Sequence, residues 1–141
     1  MTVNISEFSK GLDSFTAQVQ DRLVDFHKQI VRDLYTEVTS NSPVWSGQFR
    51  ASHTVNINEP DPSVIKNPAA LTAVWPDTPS TVLKPRDSGY VTGRLEGLKP
   101  FETVFIGNNL SYALSLERGG SKQAPQGVYF LSASKISLRY R

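Results

Sequence analysis

From Phe8 to Val38 the apolar side chains of this 141-residue chain recur at steps of 4, 3, 4, 4, 3, 4, 4 and 4 residues, through Leu12, Phe15, Val19, Leu23, Phe26, Ile30 and Leu34. Only an α-helix brings positions so spaced to one face. Asn4 with Glu7 three residues on, or Ser6 one turn later, can accept from the unpaired N–H groups of the first turn, and Asn41 and Pro43 end the pattern. The spacing therefore predicts a helix from about residue 6 to about residue 40. At 1.5 Å per residue it is about 50 Å long, which outreaches a domain of this size. Two uses of the stripe follow: it covers a sheet, or part of it is a subunit interface. Thirty residues in eight steps give a period of 3.75, so the stripe drifts around the cylinder and departs from the 3.5 repeat of a left-handed coiled coil. Val24, Val31 and Tyr35 widen it in its second half, where more protein contact is expected.

The length fits a single domain, 1–141. Apolar residues make up 38%, a low share, while 10% aromatics with seven Phe are enough for a core with exposed appendages. The absence of cysteine excludes disulfides, thiolate metal sites and cysteine nucleophiles. Neither a secretory signal nor a membrane-spanning apolar run is legible, so the expectation is a soluble protein that starts out in a cytoplasm and meets no membrane. A net charge of +2 is too slight to select nucleic acid as partner. Its distribution is uneven: residues 1–41 hold four basic and six acidic side chains, residues 101–141 five and two. Such segments attract one another either within one fold or between copies.

Beyond the helix, Ser42 to Gly47 reads as a turn, and Phe49, Ala51, His53, Val55 and Ile57 alternate with polar residues as a strand over about 49–57. Residues 58–100 hold seven of the nine prolines, which rules out a central strand or long helix there and predicts a loop region. Two apolar islands, Ala69 to Trp75 and Tyr90 to Leu98, are available to dock on the core or on a neighbour. A strand, a turn at Asn108 and Asn109 and a short helix fill 101–118, with Tyr112 and Leu116 expected to face the core. Glu117 sits at the unfavourable end of that helix dipole, so a basic partner is expected, Arg50 or Arg94. A glycine-flanked loop follows at 119–127. In the C-terminal segment 128–141, Ile136, Leu138 and Tyr140 alternate as an edge strand would. The fold class is α+β, a long N-terminal helix on a small, mostly antiparallel sheet, with a short second helix and long loops.

Catalytic chemistry finds few carriers. His27 lies at the edge of the helical stripe and His53 in phase with Phe49 and Val55, both ordinary structural positions. No zinc-protease motif, carboxylate pair or phosphate-binding loop is present, so neither an enzyme nor a cofactor or metal site is expected. A basic, aromatic C-terminal face of Arg118, Lys122, Lys135, Arg139 and Arg141 with Tyr112, Tyr129 and Tyr140 offers a DNA-contacting surface, against which stands a simple solvated face.

Three stretches carry a resemblance. Ser42-Pro-Val-Trp-Ser-Gly-Gln-Phe-Arg-Ala-Ser52 after a long N-terminal helix, Thr103-Val-Phe-Ile-Gly-Asn-Asn-Leu-Ser-Tyr-Ala-Leu-Ser-Leu-Glu-Arg-Gly119, and Ser121-Lys-Gln-Ala-Pro-Gln-Gly127 resemble, in order and spacing, segments of small tail-completion and head-tail joining (neck) proteins of long-tailed bacteriophages, the minor tail protein Z-like family. Trp45 stands where that family commonly has Asp, Ser111 where it commonly has Pro, and residues 58–100 align with nothing. The resemblance implies a structural virion protein without catalysis, assembled in the host cytoplasm into a hexameric ring at the neck or head-proximal tail end. Its partners would be the connector and the tail-terminator or tail-tube proteins, with DNA passing through the lumen. A tail terminator capping the tube is the alternative within structural proteins. The residues expected at the joints, for self-association or partner contact, are Trp45, Phe49, Arg50, Trp75, Tyr90, Tyr112, Glu117 and Lys122.

Overall fold

The computed structural model describes residues 4–141. The first helix, α1, runs over Ile5–Asn41, with the Asn4 side chain accepting from the N–H groups of Ser6 and Glu7 at 3.1 and 3.3 Å. Its halves have different surroundings. Val31, Tyr35 and Val38 are buried, whereas the same stripe between Ile5 and Phe26 remains in solvent.

The chain then makes a four-residue helix α2 (Gln48–Ala51), strand β1 (Thr54–Ile57), a 3₁₀ turn at Pro68–Leu71, helix α3 (Ser88–Arg94), strand β2 (Val104–Gly107), helix α4 (Ala113–Glu117) and helix α5 (Tyr129–Arg139). β1 and β2 form a two-stranded antiparallel sheet, with Thr54 opposite Gly107 and Ile57 opposite Val104. The fold is thus α+β, a long N-terminal helix with a small antiparallel sheet and short helices. Two strands alone are marginal in water. Here Val55 packs with Val31 and Tyr35 of α1, and Val91 and Leu95 complete the cluster. A second cluster joins Val38 to Phe49, Ala124 and Val128, with Leu110, Ala113 and Leu116 packed against it.

Three expectations are corrected. The strand expected over 49–57 begins only at Thr54, because residues 48–51 are helical: the N–H groups of Ala51 and Ser52 bond back to Gly47 and Gln48. Phe49 and His53 then lie one turn apart, and their rings meet edge to face at 5.0 Å. Over so short a run, apolar residues two apart and four apart fit both periods.

The C-terminal segment is a helix rather than a strand. Val128, Ser132 and Ile136, four residues apart, are the buried positions against α1, and the middle one is polar, which hid the period. Lys135 pairs with Glu37 at 3.4 Å, and Arg139 with Glu37 at 3.2 Å and Asp33 at 3.4 Å. The acidic helix and basic C-terminus therefore meet within one chain. These pairs are half exposed, each worth about 0–1 kcal/mol, so they orient α5 more than they stabilise it.

The proline-rich region belongs to the core at one end. Val91, Leu95 and Leu98 are buried, so the Tyr90 to Leu98 island docks within the chain. Asp87 caps α3 by accepting from the Tyr90 N–H. Further upstream, buried Asn67 donates to the carbonyls of Ser46 and Thr81 at 2.9 and 2.7 Å, tying two arms of the loop to the turn before α2. No helix among the described residues is long and apolar enough to cross a membrane.

Candidate functional site

Gly47, with φ +74°, turns the chain from Pro43 into α2, and a Cβ there would collide with the Leu83 backbone. That turn forms one wall of a cleft of about 690 Å³. Trp45 is held by a hydrogen bond from its indole N–H to the Asp77 carbonyl at 2.8 Å, and its ring meets that of Trp75 at 6.2 Å. Leu71, from the 3₁₀ turn, extends this wall. Tyr112 and Leu116 form the opposite one, and buried Phe49 is the floor, its ring 6.4 Å from Tyr112. The loop 119–127 closes the end. There Gln123 accepts from the Val44 N–H at 2.8 Å and donates to the Val44 carbonyl at 3.2 Å.

Five of the eight residues expected at subunit joints, Trp45, Phe49, Trp75, Tyr112 and Lys122, thus line one cleft. The other three lie elsewhere. Tyr90 is packed against the first core cluster, its hydroxyl accepting from the Val55 N–H and its ring stacked by Arg86 at 4.2 Å. Arg50 is half-buried on α2, its Nε without a partner among the described residues. Glu117 has no basic partner among the described residues: its carboxylate accepts from the backbone N–H groups of Val128, Tyr129 and Phe130 at 2.8 to 2.9 Å, and Arg94 pairs instead with Asp61. Burial pushes the Glu117 carboxyl up, but the three backbone donors outweigh it and hold it below its ordinary value. An anion at the start of α5 faces the positive end of that helix, which explains why the unfavourable end of α4 tolerates it. Tyr112 faces the cleft rather than the core and is partly exposed, while Leu116 does pack inward.

Behind the cleft floor lies a buried polar chain centred on His53, which has no solvent exposure. Ser42 Oγ donates to the Val38 carbonyl at 2.7 Å, so it accepts from His53 Nε2–H at 2.6 Å. That leaves Nδ1 as the acceptor for the Tyr129 hydroxyl at 2.7 Å and the Asn108 amide at 3.3 Å. Asn108 also donates to the Phe49 carbonyl at 2.8 Å, linking the β2–α4 turn to α2. Burial, and after it the Arg86 charge, lowers the His53 pKa to about 3, so the ring is neutral. Burial and the Glu117 charge push the Tyr129 phenol up. With every member committed inward, this chain ties α1, α2, β2 and α5 together beneath the cleft.

Among the described residues lining the cleft, Lys122 is the one charged side chain. The walls offer apolar burial and aromatic faces, with amide and hydroxyl groups at the rim. The described residues contain no group of three metal-ligating side chains. Of the five cations of the basic C-terminal face, Lys135 and Arg139 are engaged by α1. Sequence reasoning missed Leu71 and Gln123 as wall residues. The isolated apolar island at 69–75 was the available signal for the first, and nothing local marked the second.

Comparison of the chain with protein-family models, with curated proteins and with solved structures gives no match.

Proposed function

We propose that this chain is a structural, non-catalytic subunit that completes the tail and joins it to the head at the neck of a tailed bacteriophage, working as a ring of copies. One observation carries the reading. The three stretches that resemble neck proteins, the first separated by residues 53–102 from the adjoining second and third, converge in space: Trp45 and Phe49 from the first, Tyr112 and Leu116 from the second, Lys122 and Gln123 from the third all line the same cleft. Trp45, Tyr112, Lys122 and Gln123 stand at the open cleft, as a joining surface requires, while Phe49 and Leu116 anchor it to the core cluster beneath. The uncovered apolar half of α1 supports the same reading, since a chain that works alone gains nothing from leaving it in solvent.

Antibody labelling of intact particles tests this. The label is expected at the joint between head and tail. Label along the tail tube, over the capsid, or absent from particles contradicts the reading.

A further inference from the structure

The molecule carries two apolar surfaces that it does not cover, one convex and one concave. The convex one is the α1 stripe of Ile5, Phe8, Leu12, Phe15 and Val19, with exposures between 48% and 78%, ending at Phe26, whose ring meets Tyr140 edge to face at 5.4 Å. With Leu23 and Phe26 these residues present roughly 700 Å² to solvent, close to the share one partner brings to an interface of standard size and more than the roughly 300–600 Å² of the largest patch on most monomers. Around Phe8, Leu12 and Phe15 the flanking residues Ser9, Gly11, Thr16 and Gln18 are uncharged, so that part of the face can be desolvated without burying an ion, and the first charge bordering it is Arg22, one turn beyond Val19. A methyl group placed on Gly11 meets nothing. The concave surface is the aromatic cleft, where Leu71 is 88% and Trp75 70% exposed.

We propose that the exposed half of α1 of one copy seats in the cleft of the next. The inference rests on the ring reading above and names the contact that makes the ring. A volume of about 690 Å³ takes a few large side chains, which is what a helix laid in a groove inserts from positions i, i+4 and i+7, here Phe8, Leu12 and Phe15. One contact of this kind covers the cleft and the first turns of the stripe at once. Pairing α1 with α1 instead would leave the cleft open. Because ridge and groove are different surfaces of the same chain, the contact is heterologous, and repeated copies close into a ring when the rotation between neighbours allows it.

The chain has no cysteine, so single cysteines report the contact cleanly. Thr16→Cys stands on the helix flank and Thr72→Cys beside Leu71 at the cleft, both exposed and neither an anchor. With a short bis-maleimide, a mixture of the two single variants is expected to give cross-linked dimer, while neither gives it alone, and the double variant is expected to give a ladder ending in a closed oligomer. Phe15→Asp and Trp75→Ala, each at an exposed position, should weaken self-association at least about 30-fold in light scattering, as loss of a central anchor does. Cross-linking of Thr16→Cys to itself, or a protein that stays monomeric and uncross-linked, overturns the proposal. The neck reading is judged separately, by the particle label: label at the joint together with helix-to-helix cross-links loses this contact and keeps that reading. Helix-to-cleft cross-links with no label on particles do the reverse.

Discussion

Acidification from pH 6.5 to pH 4 is expected to remove about 3 kcal/mol from the stability of this protein through one group, most of it before the carboxylates titrate. The cause is His53, fully buried and neutral between Ser42 and Tyr129, with its pKa lowered to about 3 by burial and by Arg86. In the unfolded chain a histidine titrates at about 6.5. Between those values the unfolded state binds a proton that the folded state refuses, so stability is fully present above the unfolded pKa and falls as pH drops through the window. The slope is about 1.4 kcal/mol per pH unit for one such group. For a domain whose total stability is about 5–15 kcal/mol, the loss by pH 4 is a large fraction. Urea titrations at intervals between pH 7 and pH 5 measure the slope directly. His53→Gln is expected to be less stable at pH 7 by about 1–3 kcal/mol, through imperfect replacement of two buried hydrogen bonds, and to lose the slope. A wild-type stability that is flat over that interval would place a proton or an open path at His53 and contradict the network.

The second large effect is expected from Glu117→Ala. That carboxylate satisfies the first three N–H groups of the turn entering α5, and no side chain of α5 itself does so. Removing it leaves those donors short of partners and takes an anion from a helix N-terminus, together about 2–4 kcal/mol. Glu117→Gln keeps one acceptor and should lose about half as much. Gly127, with φ +80°, has no room for a Cβ because the Glu117 backbone carbonyl occupies that space, so the two residues form one tightly built corner. Because this carboxyl is held below its ordinary value, its contribution is present above the unfolded pKa near 4.3 and is lost as pH falls through the folded one. Thermal unfolding of the variants at pH 7 checks the prediction. An unchanged midpoint in Glu117→Ala would contradict the backbone cap, and a coupling energy between Glu117→Ala and Arg50→Ala in a double-mutant cycle would return the basic-partner account.

The contrast between these two residues shows what the sequence makes legible. α1 is readable because nine apolar positions repeat one period over thirty residues, and no other element satisfies that pattern. α5 is not, because its middle buried position is Ser132, which donates to the Val128 carbonyl and hydrogen-bonds Asn41 on α1, so the buried face lacks an apolar signature there. Glu117 advertises a charge in need of compensation but not that the compensation comes from backbone donors eleven to thirteen residues away. Likewise the aromatic residues of the cleft were conspicuous one by one. That Trp45 and Trp75 meet depends on the path of the proline-rich loop, fixed by Asn67 and the Asp77 carbonyl, and no periodicity encodes such a path.

The central claim, that the protein joins finished tails to filled heads, is tested most directly by restoring it to extracts of cells infected with a phage whose copy of the gene is disrupted. Electron microscopy of those extracts should show DNA-filled heads and tails of normal length lying apart, and purified wild-type protein should join them and restore infectivity, while Phe15→Asp protein should not. Tails of uncontrolled length would identify a terminator, and complete, infectious particles formed without the protein would contradict the account altogether.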